Sequence, residues 1–497
     1  AGDGDSWNEK FPINFRAYIP FIQQDGEKGV ALGYQSTVAN ANYILKRGSD
    51  GTWSAMGTGT NGAVYATAVG LDGSIYAAGD FTLAGGVANT AYIAKWNGTA
   101  WAPLGTGMNG IVFALAIGPD GSLYAGGAFA SAGGVANTAT IAKWNGSAWT
   151  PLATGTNGNV YALAMGPDGS LYAGGAFAAA SGVANTAKIA KWDGSAWSAL
   201  ATGANNNVMA LTTGPDGTLY AGGDFTDLGT ANGDYIAKWN GTVWSAMGTG
   251  MNLPTVRALE FGTDGVLYVG GSFTQAGGIA NTYGLAKWNG VSWLSLSAST
   301  GSVIAISQGV DGLLYVGGTI VPPPGVVFPD NAAAWNGTSW MPVEVNLPGT
   351  ASVYAIAQDQ TNSLYLGFST AAPGSAYAAS VTVPNVGSAT AYPKVVFTGP
   401  GTVYQLKNYT TGKAIYFNLT LNAGEVATLN LDPMGVSFNS TFRGNVLNTI
   451  LPGSDLSFEL LPGANNVSSF IYGGTTAASG IVMTWRDQYW SLNAAVR

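Results

Sequence analysis

A tryptophan recurs at Trp53, Trp101, Trp149, Trp197, Trp244, Trp293 and Trp340, at spacings of 48, 48, 48, 47, 49 and 47 residues. A second tryptophan stands shortly before six of these, at Trp96, Trp144, Trp192, Trp239, Trp288 and Trp335, and Arg47 takes its place in the first copy. A period this regular constrains the fold more than any other feature of the chain. Each copy is one supersecondary unit, and its apolar faces can be buried only against its neighbours.

Each unit holds four short apolar segments. In the third complete copy they are VYALAMG (160–166), SLYAGG (170–175), KIAKW (188–192) and AWSAL (196–200), called a to d below. All are rich in Val, Ile, Tyr and Trp and too short for helices, so they read as strands. Strict alternation sends Val160, Ala162 and Ala164 to one face and Tyr161, Leu163 and Met165 to the other. Both faces are then apolar, as a sheet packed between two others requires. Asp-Gly joins a to b at Asp72, Asp120, Asp168, Asp216, Asp264 and Asp311, and Asn-Gly or Asp-Gly joins c to d in all seven copies. These dipeptides accept the positive φ of tight hairpins. Four-stranded antiparallel units at this period predict a β-propeller.

Counting strands fixes the architecture. Segments a, b, c and d each occur seven times, but the series starts with a c strand near Ile44 and ends with a b strand near Tyr365. One blade is therefore split, with c and d from the beginning of the series and a and b from its end. The expected fold is all-β: a seven-bladed propeller over residues 43–368, closed by strand exchange. The tight a–b and c–d turns share one face, and the longer b–c and d–a connections share the other. Whatever lies outside the propeller attaches on the long-loop face, leaving the tight-turn face free.

Composition narrows the chemistry. The chain has no cysteine and no histidine. A disulfide framework, a thiolate nucleophile, Cys/His zinc sites and Ser-His-Asp catalysis are thereby excluded. With 18 basic and 26 acidic residues the net charge is −8, which argues against nucleic acid, whose phosphates need clustered Lys and Arg. No apolar run is long enough for a membrane-spanning helix, so no membrane insertion is expected. The first ten residues are polar and acidic and contain no apolar signal stretch.

Residues 1–42 and 369–497 do not follow the repeat. The C-terminal part alternates short strands with Gly/Pro turns, including a hairpin tip at Thr411-Gly412, and reads as an antiparallel sandwich. FPINFRAYIPFI (11–22) is a strand without a local partner. Since the propeller's two ends meet, this strand can join the C-terminal sheet, making the propeller an insertion in a sandwich formed by 1–42 and 369–497.

The C-terminal block resembles the C-terminal domain of siphophage distal tail proteins. The residues that carry the resemblance are VYQLKN (403–408) to IYF (415–417), LPGS (451–454), LPGANN (461–466), and TWR (484–486) to YWSL (489–492). FPINFRAYIPFI resembles the strand that opens that domain, with Ile19 where an aspartate is frequent. The resemblance implies a galectin-like sandwich, a ring at the tail tip, other tail proteins as partners, and inserted modules that bind host surface sugars.

The paired tryptophans could stack on sugars, but their fixed strand positions fit packing better. The solvent-facing residues of the tight turns are the better contact candidates. Sequons such as Asn97-Gly98-Thr99 and Asn145-Gly146-Ser147 are explained as hairpin turns. Asp80 and Asp224 share one repeat position after the Gly-Gly of segment b and read as solvated rim residues, because no acid/base partner recurs beside them. Glu260 and Arg257 break the pattern of segment a and, three apart, are expected on opposite sides without pairing. The proline-rich loop 319–331 is stiff and reads as a contact to the sandwich or to a neighbouring subunit. No catalytic, cofactor or metal residue is assigned, and the ligand-binding residues are left open.

These readings lead to a non-enzymatic virion protein of the distal-tail or baseplate type. The sandwich anchors it, and the propeller serves as a host-surface adhesion or decoration module. Expected partners are other tail proteins, further copies in a ring, and host surface glycans, with no cofactor. Two alternatives stay open: a propeller glycosidase or lyase acting on host surface polysaccharide, and a purely structural virion or secreted propeller.

Overall fold

The computed structural model describes residues 21–22, 28–31, 42–49, 53–228, 234–296, 300–321, 331–337, 340–343, 351–370, 381–385, 389–408, 410–451, 454–472 and 480–485. The repeat folds as the periodicity predicts. Blade 1 is Ala63–Val69, Ile75–Asp80, Ile93–Trp96 and Trp101–Ala102, in spatial order and antiparallel. Blades 2 to 6 repeat this order at residues 112–151, 160–198, 208–246, 256–295 and 300–342. Blade 7 is the split one. Val353–Gln358 and Leu364–Phe368 pair on with Ile44–Arg47 and Trp53–Ala55, in the register Ile44↔Gly367 to Arg47↔Leu364. The innermost strands touch in sequence from blade 1 to blade 7, and blade 7 touches blade 1, so the ring closes. The result is an all-β, seven-bladed propeller.

The seams explain the Gly-Gly of segment b. A Cβ on Gly126 would lie 2.5 Å from Val160 Cγ1 of the next blade, and Gly174 stands in the same relation to Val208 at 2.6 Å. Blade approach therefore leaves little room at the first glycine. At the second, a Cβ on Gly175 would meet the backbone oxygen of Asn159 within the same blade at 2.0 Å. That oxygen is brought close by a bulge at the start of every inner strand, between Val160 and Ala162 in blade 3. The bulge also corrects the expected alternation. Val160 and Leu163, assigned to opposite faces by strict counting, both pack towards Gly126 of the preceding blade. The intervening Tyr161 is the bulged residue. One extra residue resets the phase of the strand.

Outside the propeller, two sheets face each other. One has the order Phe21–Ile22, Lys28–Ala31, Gly480–Trp485, Lys394–Thr398, Val426–Asn430, Ser437–Ser440 and Gly444–Asn445. The other is Val381–Asn385, Gly463–Tyr472, Gly401–Asn408 and Ala414–Leu421. Between them lies an apolar core in which the Phe417 ring of the second sheet stands 5.4 Å from both Phe397 and Phe438 of the first. The expected hairpin tip is present, with Lys407 opposite Ala414 and Gly412 at φ +74°. LSFELL (456–461), apolar enough for a strand, is turn and extended loop with a single bridge from Leu460 to Ala391. Glu425 is fully buried and accepts from Arg443 Nε at 2.7 Å and from the Asn422 amide. The Arg443 guanidinium beside it holds this carboxyl down at about 2. Strand Lys28–Ala31, which precedes the propeller in the chain, pairs with Gly480–Trp485 near the chain's end. Residues 11–20, the rest of the predicted N-terminal strand, lie outside the described residues.

Candidate functional site

The tryptophans are structural. In blades 1 to 6 the two rings of each blade pack against each other with centroids 5.1–5.4 Å apart, and all are buried. In these six blades the second Trp donates its Nε1 hydrogen across the seam, whereas Trp53 of blade 7 is buried with no partner for its own among the described residues. Trp101 reaches the Met56 carbonyl at 2.7 Å, Trp149 that of Leu104 at 2.9 Å and Trp197 that of Leu152 at 3.0 Å, and the series continues through Trp340 and Leu296. These rings latch outer strands together and present no face to a ligand. Arg47, in place of the first Trp, is buried at the seam with blade 6, where its guanidinium donates to Tyr315 Oη at 3.1 Å and lies over the Trp53 ring.

Among the described residues, side-chain bonds brace the turns of both loop faces. On the tight-turn face, Lys95, Lys143 and Lys191 bridge to Asp72, Asp120 and Asp168 at 2.7–3.0 Å while lying over Tyr76, Tyr124 and Tyr172. Lys143 beside Asp120 holds that carboxyl at about 2. The sequon asparagines use their side-chain oxygens within their own turns, Asn97 accepting from the backbone of Thr99 and Ala100. Leu71 and Val291 stand out from this face, 73% and 84% exposed. On the long-loop face, buried Thr90, Thr138, Thr186 and Thr282 tie the GGVANT-type loops shut. Asn61, Asn109, Asn157, Asn205 and Asn252 clamp each d–a loop to the b–c loop of its own blade.

The polar candidates separate. Asp80 is exposed at the end of its strand in blade 1. Asp224 is half-buried in blade 4 and accepts from Thr255 Oγ1 at 2.6 Å. The two positions are three blades apart around the ring, so they are not a convergent pair. Arg257 is the bulged residue of blade 5 and is exposed. Glu260 packs towards blade 6, where it accepts from the Gln308 backbone N–H at 3.3 Å. Burial at this seam pushes its carboxyl up to about 7. No ion pair joins Arg257 and Glu260 among the described contacts. Of loop 319–331, residues 322–330 lie outside the described residues.

The structure brings together one set that the sequence reading missed. The bulged residue of each inner strand turns towards the central channel near the long-loop face. In four consecutive blades it is aromatic: Tyr354, Tyr65, Phe113 and Tyr161. Their rings form a continuous arc, with centroids 5.4 Å apart from Tyr354 to Tyr65, 5.9 Å from Tyr65 to Phe113 and 5.4 Å from Phe113 to Tyr161. All four are half-buried. Burial, with the Asp80 charge nearby, raises the Tyr65 hydroxyl pKa above its ordinary value. In the other three blades the same position holds Met209, Arg257 and Ile304. The signal was present as a column of the repeat that changes residue type halfway around the ring. The bulge that aims this column inward is invisible to alternation.

Comparisons with known proteins add the following. Residues 386–489 match the family model described as siphovirus-type tail component, C-terminal domain. A comparison with curated proteins returned no match. Among solved structures, a streptogramin B lyase is similar at 12% identity and TM-score 0.43, covering 68% of this chain and 98% of that one. The WD40 β-propeller domain of Doa1 is similar at 15% identity and TM-score 0.43, covering 68% and 97%. A virginiamycin B lyase from Staphylococcus aureus is similar at 12% identity and TM-score 0.40, covering 65% and 98%. These likenesses say nothing of what this chain binds or does. The family match falls on the sandwich strands whose residues carry the resemblance, and so residues 386–489 are similar to the C-terminal domain of siphovirus-type tail components.

Proposed function

We propose that this chain is a structural protein of a phage tail, of the distal-tail or baseplate type, in which residues 1–42 and 369–497 anchor it and residues 43–368 display a host-adhesion propeller. One observation carries the reading. Strand Lys28–Ala31, before the propeller, hydrogen-bonds to Gly480–Trp485, inside the segment matched by the tail-component model. The propeller is thus carried within the fold of a tail domain, and both of its connections leave blade 7 at the same end, at Tyr43 and Phe368. Its partners in this reading are other tail proteins and further copies of itself, and a ring of copies turns weak single contacts into avidity. The reading is non-enzymatic: a glycosidase needs two facing carboxylates, and Asp80 and Asp224 belong to separated blades.

Imaging of particles labelled with antibody to the propeller tests the assignment. Label is expected at the tail tip, and label on the capsid or none on the particle overturns it. Release of reducing ends from host surface polysaccharide by the purified chain overturns the non-enzymatic part.

A further inference from the structure

The rim of the propeller channel on the long-loop face has two chemically different halves. Blades 7, 1, 2 and 3 supply the aromatic arc of Tyr354, Tyr65, Phe113 and Tyr161. Blades 4 to 7 supply hydroxyl and carboxylate pairs where their first and second strands reach the same rim. Asp224 accepts from Thr255, the Ser272 and Ser302 hydroxyls lie 2.8 Å apart, and the Ser369 hydroxyl accepts from the Ser352 backbone N–H at 3.0 Å. Arg257 stands exposed at the bulged position of blade 5. In the first three blades the corresponding b-strand positions are Asp80, Ala128 and Ala176, so only blades 2 and 3 lack a polar group there, and the arc is flanked by polar groups at both ends.

We propose that this rim binds a neutral saccharide end, which rests on the adhesion reading above and gives it a site. Pyranose rings present an apolar C–H face and a hydroxyl edge. The arc offers half-buried aromatic surface for the former, and the opposite half offers groups that both donate and accept for the latter. Specific small-ligand sites combine these two elements on a pre-formed frame. In blades 1, 2, 3 and 5 the frame is pre-formed, because Asn and Thr clamps fix the described loops there. Charge selects the ligand class. Arg257 faces a rim that also carries Asp80 and Asp224, on a chain of net charge −8, so a polyanionic glycan is disfavoured and a neutral one is not. One sandwich side chain, Tyr416, packs at the seam of blades 6 and 7, while Asp80, Arg257 and Ser272 at the rim are exposed.

The full chain is titrated with neutral hexose oligosaccharides of two to six units and with uronic-acid oligosaccharides of the same lengths, followed by saturation-transfer NMR and calorimetry. At least one neutral oligosaccharide is expected to bind. Phe113→Ala and Tyr65→Ala are each expected to weaken it at least tenfold, and Val291→Ala on the tight-turn face to leave it unchanged. Arg257→Ala, at an exposed position, serves if an aromatic variant loses its circular-dichroism spectrum, with the same tenfold loss expected. Binding of only the acidic oligosaccharides, of none, or of peptides from the host envelope instead overturns the proposal. Binding of the chain to host envelope fractions separates the two readings. If the chain binds them and the rim variants bind equally well, adhesion stands and this site falls. If the unaltered chain does not bind them, the adhesion reading itself falls.

Discussion

Glu260 shows how a single residue can depart from a repeat at a measurable cost. Its equivalents in blades 1, 2, 3 and 7 are Ala68, Ala116, Ala164 and Ala357, small because the inner strands are crowded. In blade 5 a carboxyl occupies the seam instead, and burial lifts it from 4.5 to about 7. The folded value lies above the unfolded one, so folding favours the protonated form. Stability is therefore intact below about pH 4.5 and falls as pH rises through 7. Glu260→Gln is expected to be nearly neutral at pH 4.5 and to stabilise by about 2 kcal/mol at pH 8, read from urea unfolding at both values. The departure itself was legible in the sequence, as was its lack of pairing with Arg257. Its surroundings were not, because they depend on which blade the side chain faces, and a bulge three residues earlier decides that.

At the scale of the strand, the two glycines of segment b look interchangeable in sequence and differ in structure. The first leaves room for the Val of the next blade, and blade 1 already has Ala78 there. The second sits against a carbonyl of its own blade. Gly126→Ala is expected to cost about 1 kcal/mol, as mild overpacking does. Gly175→Ala forces the bulge to move and is expected to cost 3 kcal/mol or more, roughly the upper end of overpacking costs. Thermal melts of the two variants in parallel check the ordering. Strand identity, hairpin positions and the split blade could all be read from Trp spacing and Asp-Gly or Asn-Gly turns, because both signals are local. The bulge could not, since it leaves composition and period unchanged. The aromatic arc is hidden with it: strict alternation places Tyr161 on one face with Leu163 and Met165, as in an ordinary strand.

For the whole molecule, closure is the decisive feature. Ile44–Arg47 and Trp53–Ala55 complete blade 7 and cover the strand Leu364–Phe368. A fragment spanning 42–370 is expected to be monomeric and to melt in one transition. A fragment spanning 57–370 leaves that strand as an open apolar edge, which invites pairing between chains. It is expected to elute as dimers or aggregates and to melt earlier, as size-exclusion chromatography and calorimetry would show. The likeness to a tail domain was legible because the strands and turns that carry it lie in one contiguous stretch. The meeting of the propeller's ends implies that an N-terminal strand joins the C-terminal sheet, but it does not single out Lys28–Ala31: the apolar stretch 11–22 is the stronger strand signal, and the pairing with Gly480–Trp485 falls later.

The split blade also sets an order of events on the ribosome. Pairing of Lys46 with Tyr365 has to wait until the intervening blades have been made, roughly 15–60 s at ordinary synthesis rates of about 5–20 residues per second. Lys28–Ala31 waits longer still for Gly480–Trp485. Ile44–Arg47 can pair early with Trp53–Ala55, and Phe21–Ile22 with Lys28–Ala31, but each hairpin waits for its distant strand, and the outer clasp can fasten only after the inner one. A nascent chain of this design needs its early apolar segments, Ile44 and Trp53 among them, kept from other chains during that interval.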